Sequence, residues 1–157
     1  MIQCAPNQPI ESENDPIFYA SDPARLFFKN TRSHHYQLVT QKSSKIDHYA
    51  WKNEPGIVQA VIADNWLSEE AYLLIRLADK GIVDWQIENE KATPIIITPQ
   101  TRRDHYDAAL TLYRALQDGA KLQLSYGAQT IPIFQKEAEK TTFETVVKDY
   151  LRLVEKQ

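Results

Sequence analysis

The stretch from Ile82 to Leu116 restricts the fold of this chain more than any other part of the sequence. It contains two runs of residues that favour β-strands, IVDWQI and PIIIT, separated by the polar turn ENEKA. The residues that follow carry an amphipathic pattern, because apolar side chains recur at helical spacing at Tyr106, Ala109, Leu110, Tyr113 and Leu116. The stretch therefore predicts a β-hairpin over 82–98 and an amphipathic helix over 102–118.

A similar order follows towards the end of the chain. Residues 121–135 predict a second hairpin, whose return strand contains Pro132 and therefore belongs at a sheet edge or a bulge. Residues 142–156 predict an amphipathic helix that begins with a capping box formed by Thr141 and Glu144. From Ile82 onward, the predicted order of elements is ββαββα.

Upstream, residues 68–80 predict a central buried helix. Ser68 suits its N-cap, Gly81 suits the left-handed position after its end, and the residues between them are almost all apolar. Residues 57–66 are short and apolar, and their periodicity does not separate a helix from a strand; their alanines favour a helix. The predicted fold class is α+β, with short antiparallel hairpins each followed by a helix.

The length of 157 residues predicts a single domain over 17–157, preceded by a flexible acidic arm over 1–16. Cys4 is the only cysteine in the sequence, so no intrachain disulfide can form. The sequence contains neither an apolar run long enough to span a membrane nor the pattern of a signal peptide. We therefore expect a cytoplasmic protein that does not enter a membrane.

Charge is distributed unevenly along the chain. The whole sequence carries a net charge of −3, but the segment 25–52 holds six Lys and Arg residues against one acid, a local charge of +5. Aromatic residues are interleaved with these cations, as backbone contact and base stacking by a nucleic-acid binder require. This pattern gives a candidate nucleic-acid site at Lys29, Arg32, Lys42, Lys45, Tyr49 and Trp51. The alternative interpretation is that the aromatic residues are core and the cations a solvated face.

A second feature bears on the same possibility. Lys80, Gly81, Ile82 and Val83, followed by Thr98 and Pro99, resemble the end of a winged-helix domain, in which a helix leads into a wing hairpin. The resemblance implies a DNA-reading helix over 68–80. That helix would begin with Glu69 and Glu70, two carboxylates where phosphate contacts normally require cations.

Histidine and arginine residues suggest two further sites. Arg102, Arg103 and His105 begin the helix predicted over 102–118 and form a candidate anion site. His34, His48 or His105 could act as the general acid of a small RNase-like enzyme. No phosphate-binding loop, dinucleotide fingerprint or zinc-protease motif is present, and we predict no metal and no cofactor.

With no enzyme motif in the sequence, the preferred hypothesis is a non-catalytic binding or adaptor protein that acts through a protein–protein interface, with self-association as one form of it. The candidate contact residues are Trp66, Trp85 and Phe134, because aromatic anchors dominate interface energetics and an uncovered edge strand over 130–135 can pair with another chain. Nucleic-acid binding through 25–52 and RNase-like catalysis are the alternatives.

Overall fold

The computed structural model describes residues 16–41, 43–53, 56–90 and 93–155, and it contains two four-stranded antiparallel sheets. The first sheet is a meander in which each strand pairs with the next along the chain, in the order β1-β2-β3-β4. Its strands are β1 Tyr36–Gln41, β2 Ile46–Trp51, β3 Val58–Asn65 and β4 Glu70–Leu77.

The prediction of helices at 57–66 and 68–80 is wrong, because these residues form β3 and β4. A 3-10 turn over Trp66–Ser68 joins the two strands, and Glu69 completes the turn with a positive φ of 56°. Both strands are buried on both faces over most of their length, so they lack the alternation of a half-exposed strand. An apolar run of this kind is equally compatible with a buried helix.

The second sheet has the order β6-β5-β7-β8. Its strands are β5 Trp85–Asn89, β6 Pro94–Ile97, β7 Leu122–Tyr126 and β8 Gln129–Ile133. Pro132 lies in β8, which is an edge strand as its proline predicts. Gly127 takes the left-handed conformation, with φ of 56°, in the tight turn between β7 and β8.

Three α-helices complete the described part of the chain: α1 Asp22–Phe27, α2 Arg102–Gln117 and α3 Glu137–Leu153. The Thr101 side chain and the Asp104 side chain form the capping box at the start of α2, which confirms the predicted start of this helix. The predicted start of the last helix at residue 142 is wrong. α3 begins at Glu137, where the Glu139 carboxylate accepts a hydrogen bond from the backbone N–H of Lys136.

One hydrophobic core joins these elements. α2 packs on β4 and α3 packs on β3 and β4. Residues of both sheets and of both long helices belong to the same buried cluster, which includes Leu73, Ile87, Leu112, Leu124 and Tyr150. The molecule is therefore a single compact α/β body. The central helix predicted over 68–80 is absent because the β-meander occupies these residues, and the elements after Ile82 are β5, β6, α2, β7, β8 and α3 in chain order.

The N-terminal part of the described chain runs from the β4 side of the first sheet to the start of β1. Tyr19 forms an isolated bridge with Glu70, α1 is capped by Ser21, and a π-helical turn over Phe28–Arg32 and a 3-10 turn over Ser33–His35 lead into β1. The arm predicted over 1–16 lies almost wholly outside the described residues. No helix in the described ranges is long and apolar enough to cross a membrane.

Candidate functional site

The two edges of the first sheet differ in how their backbone groups are satisfied. In an antiparallel sheet, alternate residues of an edge strand direct their N–H and C=O groups away from the sheet. On β4 these are the odd-numbered residues from Ala71 to Leu77. The backbone N–H of Ile75 donates to Nδ1 of His105 at 2.9 Å, and the hydroxyl of Tyr150 donates to the carbonyl of Ala71 at 2.8 Å. Side chains of α2 and α3 therefore occupy two of the outward groups of the β4 edge.

The second sheet protects its edges by other means. Pro132 occupies a position of β8 that faces away from β7, where it has no N–H to offer to another strand. β6 is four residues long, begins with Pro94 and is bulged against β5. Short strands, prolines and bulges are standard protections against pairing with another chain.

The β1 edge has none of these protections. The backbone N–H of Lys52 donates to the carbonyl of His35, which sets the alternation along β1 and leaves the N–H and C=O groups of Leu38 and Thr40 facing outward. Within the described residues, no group hydrogen-bonds to these outward backbone groups. The strand reads YQLVTQ, with no proline and no charged residue. Within the described ranges, β1 is therefore an open pairing edge.

The side chains of β1 add exposed apolar surface to both faces of this edge. Leu38 points to the face on which α3 packs and is 53% exposed, and Val39 points to the opposite face and is 57% exposed. Polar neighbours, Gln37 and Thr40, flank them. An incoming strand would thus bury apolar side chains on both faces while its backbone pairs with β1.

The start of β1 is anchored firmly to α3. The Tyr36 hydroxyl donates to Oδ2 of the buried Asp149 at 2.6 Å, and Nε of Arg32 lies 2.9 Å from Oδ1 of the same carboxylate. Burial, together with the hydrogen bond to Asp149, raises the pKa of Tyr36. Phe28 packs against the rings of Tyr36 and Tyr49 beneath the strand. Side-chain hydrogen bonds and ring packing thus fix the start of the open β1 edge to the rest of the molecule.

The residues proposed for nucleic-acid binding are divided between core and surface. Tyr49 is buried, and burial raises its pKa to about 12, so its ring does not offer a stacking surface. Trp51 is half-buried and stacks in parallel on His35 with 5.3 Å between ring centroids. Arg32 pairs with Asp149, whereas Lys29 and Lys45 are exposed. Lys42 lies outside the described residues.

The three candidate catalytic histidines lie on different elements. His34 is in the 3-10 turn before β1, with its ring 4.0 Å from that of His35, His48 is in β2, and His105 is in α2 with Nδ1 bonded to the backbone of β4. Burial and the charge of Arg76 lower the pKa of His48, and burial with the charges of His34 and Arg32 lowers that of His35.

The three residues of the candidate anion site each contact a different partner. The guanidinium of Arg102 lies over the Tyr72 ring at 4.2 Å, Nε of Arg103 lies 3.5 Å from Asp107, and His105 accepts from β4. The charge of Arg102 is therefore directed at the first sheet and not at an open first turn. Across the described residues, no group of three or more His, Cys, Asp and Glu side chains is placed to hold a metal ion.

The aromatic contact candidates also differ in exposure. Trp66 is 46% exposed in the turn between β3 and β4, but Trp85 and Phe134 are buried, the latter against Phe143. The helix that the winged-helix resemblance requires over 68–80 is strand β4, so the resemblance does not extend to the structure. Sequence reasoning missed the β1 edge, for which the lack of proline and charge in YQLVTQ was the available signal.

A groove is lined by Arg32 and Asp149, the two residues that connect the start of β1 to α3. It has a volume of about 470 Å³, opens to solvent, and is lined by side chains of the π-helical turn, α2 and α3 that include Arg32, Thr145, Lys148 and Arg152. The Asp149 carboxylate in its wall is already engaged by Tyr36 and Arg32.

Comparison of the chain with protein-family models, curated proteins and solved structures gave no match.

Proposed function

We propose that this protein is a non-catalytic binding module that takes an extended segment of another polypeptide onto the outer edge of β1. The observation that carries the proposal is the contrast between the two edges of one sheet. His105 and Tyr150 bond to two outward backbone groups of β4, the N–H of Ile75 and the C=O of Ala71, and the outward groups of Leu38 and Thr40 on β1 have no such partner among the described residues.

Strand addition suits this edge for two physical reasons. Backbone hydrogen bonds from an added strand supply affinity without demanding a particular sequence, and pockets or apolar side chains on alternate positions supply selectivity. Leu38 and Val39 provide such apolar contacts, one on each face of the sheet. The anchoring of Tyr36 and Arg32 on Asp149 means that little order has to be gained on binding, which lowers its entropic cost.

The other functions considered from the sequence receive less support. Most rings of the segment 25–52 lie in the core, where Phe28, Tyr36 and Tyr49 are all buried. Base stacking on single strands requires exposed rings. The candidate histidines for an RNase-like reaction lie on three separate elements.

The proposal is tested with a proline placed at an outward position. Thr40→Pro removes the outward N–H of β1 and leaves the N–H groups that pair with β2 in place, so we expect the fold to change in stability by about 1 kcal/mol or less. Partner binding, measured by capture from a lysate of the source cells and by quantitative mass spectrometry, should be lost in this variant.

Two matched controls accompany the variant. Thr40→Val removes the hydroxyl that donates to Asp47 but keeps the backbone N–H, and Thr130→Pro makes the same backbone change at an outward position of β8. Both should capture the same partners as the unaltered chain. Equal capture by Thr40→Pro would overturn the proposal, and loss of capture in Thr130→Pro would move the interface to the second sheet.

A further inference from the structure

Exposed cations lie at both ends of the open β1 edge. At its start Lys29 is exposed in the preceding turn, and the charge of Arg32 is paired with Asp149. At its other end the chain turns into β2 through the exposed Lys45, and the nearby Asp47 accepts a hydrogen bond from the Thr40 hydroxyl. The strand between them is uncharged. An added strand would therefore meet cations at each of its ends and neutral, partly apolar residues in the middle.

The groove next to the start of β1 extends this positive surface onto α3. Arg32, Lys148 and Arg152 line it, and the guanidinium of Arg152 is held over the Phe27 ring at 4.5 Å. The acid in the groove wall, Asp149, is buried and bonded to Tyr36 and Arg32. The exposed charge of the groove is accordingly positive, and it suits carboxylates that extend beyond the paired strand.

From this arrangement we infer that the partner segment is acidic: an extended peptide whose apolar–polar alternating centre pairs with β1 and whose flanks carry Asp or Glu. The inference rests on the proposed strand addition at β1. The flank beside the groove would lie near Lys148 and Arg152, and the other flank near Lys45.

Charge also argues against a second copy of this chain as the occupant. Two β1 strands related by a two-fold axis pair antiparallel, so the start of one strand lies beside the end of the other. The exposed Lys29 before the start of one strand would then lie on the same side as Lys45 of its neighbour, which places like charges together. A nucleic acid is also a poor match for the edge itself, because a phosphodiester chain does not supply the alternating N–H and C=O groups that β1 presents.

The test uses three fluorescein-labelled peptides with the same alternating Val-Thr centre. Their flanks carry Glu, Gln or Lys, two residues on each side, and binding to the full chain is followed by fluorescence polarisation over a salt series. We expect the Glu-flanked peptide to bind about tenfold more tightly than the Gln-flanked one at low salt, with the difference shrinking as salt is added. The Lys-flanked peptide should bind most weakly.

Protein variants then assign the charge effect to named residues. Lys45→Asn removes one cation while keeping a residue type that tolerates the positive φ of 58° at this position, and Lys148→Gln removes a cation from the groove. The double variant should lose about three- to fivefold in affinity for the Glu-flanked peptide only. Lys80→Gln with Lys121→Gln removes two exposed cations that precede β5 and β7 and serves as the matched control, with no change expected.

Each outcome separates the inference from the proposed function. Equal affinity for the Glu- and Gln-flanked peptides, lost in Thr40→Pro, would overturn the acidic partner and leave strand addition standing. Binding of the Glu-flanked peptide that persists in Thr40→Pro would show charge attraction without strand pairing and overturn both.

Three further results would also decide against the acidic peptide. No binding of any peptide would overturn both ideas. Competition by oligodeoxythymidine that Thr40→Pro does not weaken would assign the cations to nucleic acid. A dimer seen by analytical ultracentrifugation and abolished by Thr40→Pro would place a second copy on the edge.

Discussion

The two edge strands of the first sheet both lack proline but are treated differently by the rest of the chain. β4 packs against α2 and α3, whose His105 and Tyr150 side chains bond to two of its outward backbone groups. β1 is fixed at its start by Asp149 of α3, but its outward groups at Leu38 and Thr40 have no partner among the described residues. The difference shows that edge protection here depends on where the helices dock and not on the strand sequence.

The largest expected effect concerns the anchor of β1. Asp149→Leu removes the carboxylate that binds both Tyr36 and Arg32, leaving a buried hydroxyl and a half-buried guanidinium without their partner. We expect the free energy of unfolding to fall by about 3 kcal/mol, measured by urea denaturation. Asp149→Asn keeps one acceptor oxygen and should lose less. Equal stability of Asp149→Leu and the unaltered chain would mean that β1 does not depend on this anchor.

The side-chain hydrogen bonds to the outward backbone groups of β4 are tested next. Tyr150→Phe leaves the ring in the core but removes the only hydroxyl described as donating to the carbonyl of Ala71, so we expect a loss of about 2 kcal/mol. Tyr113→Phe is the control, since Tyr113 is half-buried on α2 and its hydroxyl has no described hydrogen bond. Amide hydrogen exchange should speed up along β4 in Tyr150→Phe. An equal effect in both variants would contradict a protective role of the Tyr150 hydroxyl at the β4 edge.

Removal of the second side-chain hydrogen bond at the β4 edge, from the Ile75 N–H to His105, should have a smaller effect. His105→Leu deprives the Ile75 N–H of its acceptor, and we expect a loss of about 1 kcal/mol together with faster exchange of the Ile75 amide. His105→Gln can supply a carbonyl oxygen in place of Nδ1 and should restore part of the protection. A fast Ile75 amide in the unaltered chain, similar to that of Thr40, would remove the difference between the two edges.

The smallest effect is a dependence on pH at the β1 side of the sheet. His48 lies opposite Val39, and burial with the charge of Arg76 lowers its pKa from 6.5, opposed by Asp47. The unfolded chain therefore binds a proton more readily than the native state, so the stabilisation is complete above pH 6.5 and is lost as the pH falls through the lowered value. Denaturation between pH 7.5 and 5.5 should show this slope, and His48→Gln should reduce it; an unchanged slope would exclude His48 as its source.

The predictability of the fold differed between its parts for physical reasons. The start of α2 was predictable because Thr101 and Asp104 cap the helix through bonds within four residues. The edge position of β8 followed from Pro132, whose missing N–H cannot serve a central strand. Neither feature depends on contacts distant in the chain.

The strands β3 and β4 were not predictable in the same way. Their apolar residues are buried on both faces, by packing against α3 and by a small cluster that includes Phe18 and Tyr72. Burial on both faces removes the alternation that distinguishes a strand from a helix in the sequence. The burial of the candidate residues Trp85 and Phe134 was not predictable for a related reason, since an aromatic side chain suits a core and an interface equally well.

The sequence by itself determined the local features of this protein: the capped start of α2, the hairpin turns, the proline-marked edge and the excess of positive charge in 25–52. These features depend on backbone chemistry and on charges within short stretches of neighbouring residues. The tertiary structure alone decided which edge the helices bond to. That choice follows from helices contributed by residues 102–117 and 137–153, whose side chains bond to β4, while the outward groups of Leu38 and Thr40 on β1, about 60 or more residues earlier, have no partner among the described residues.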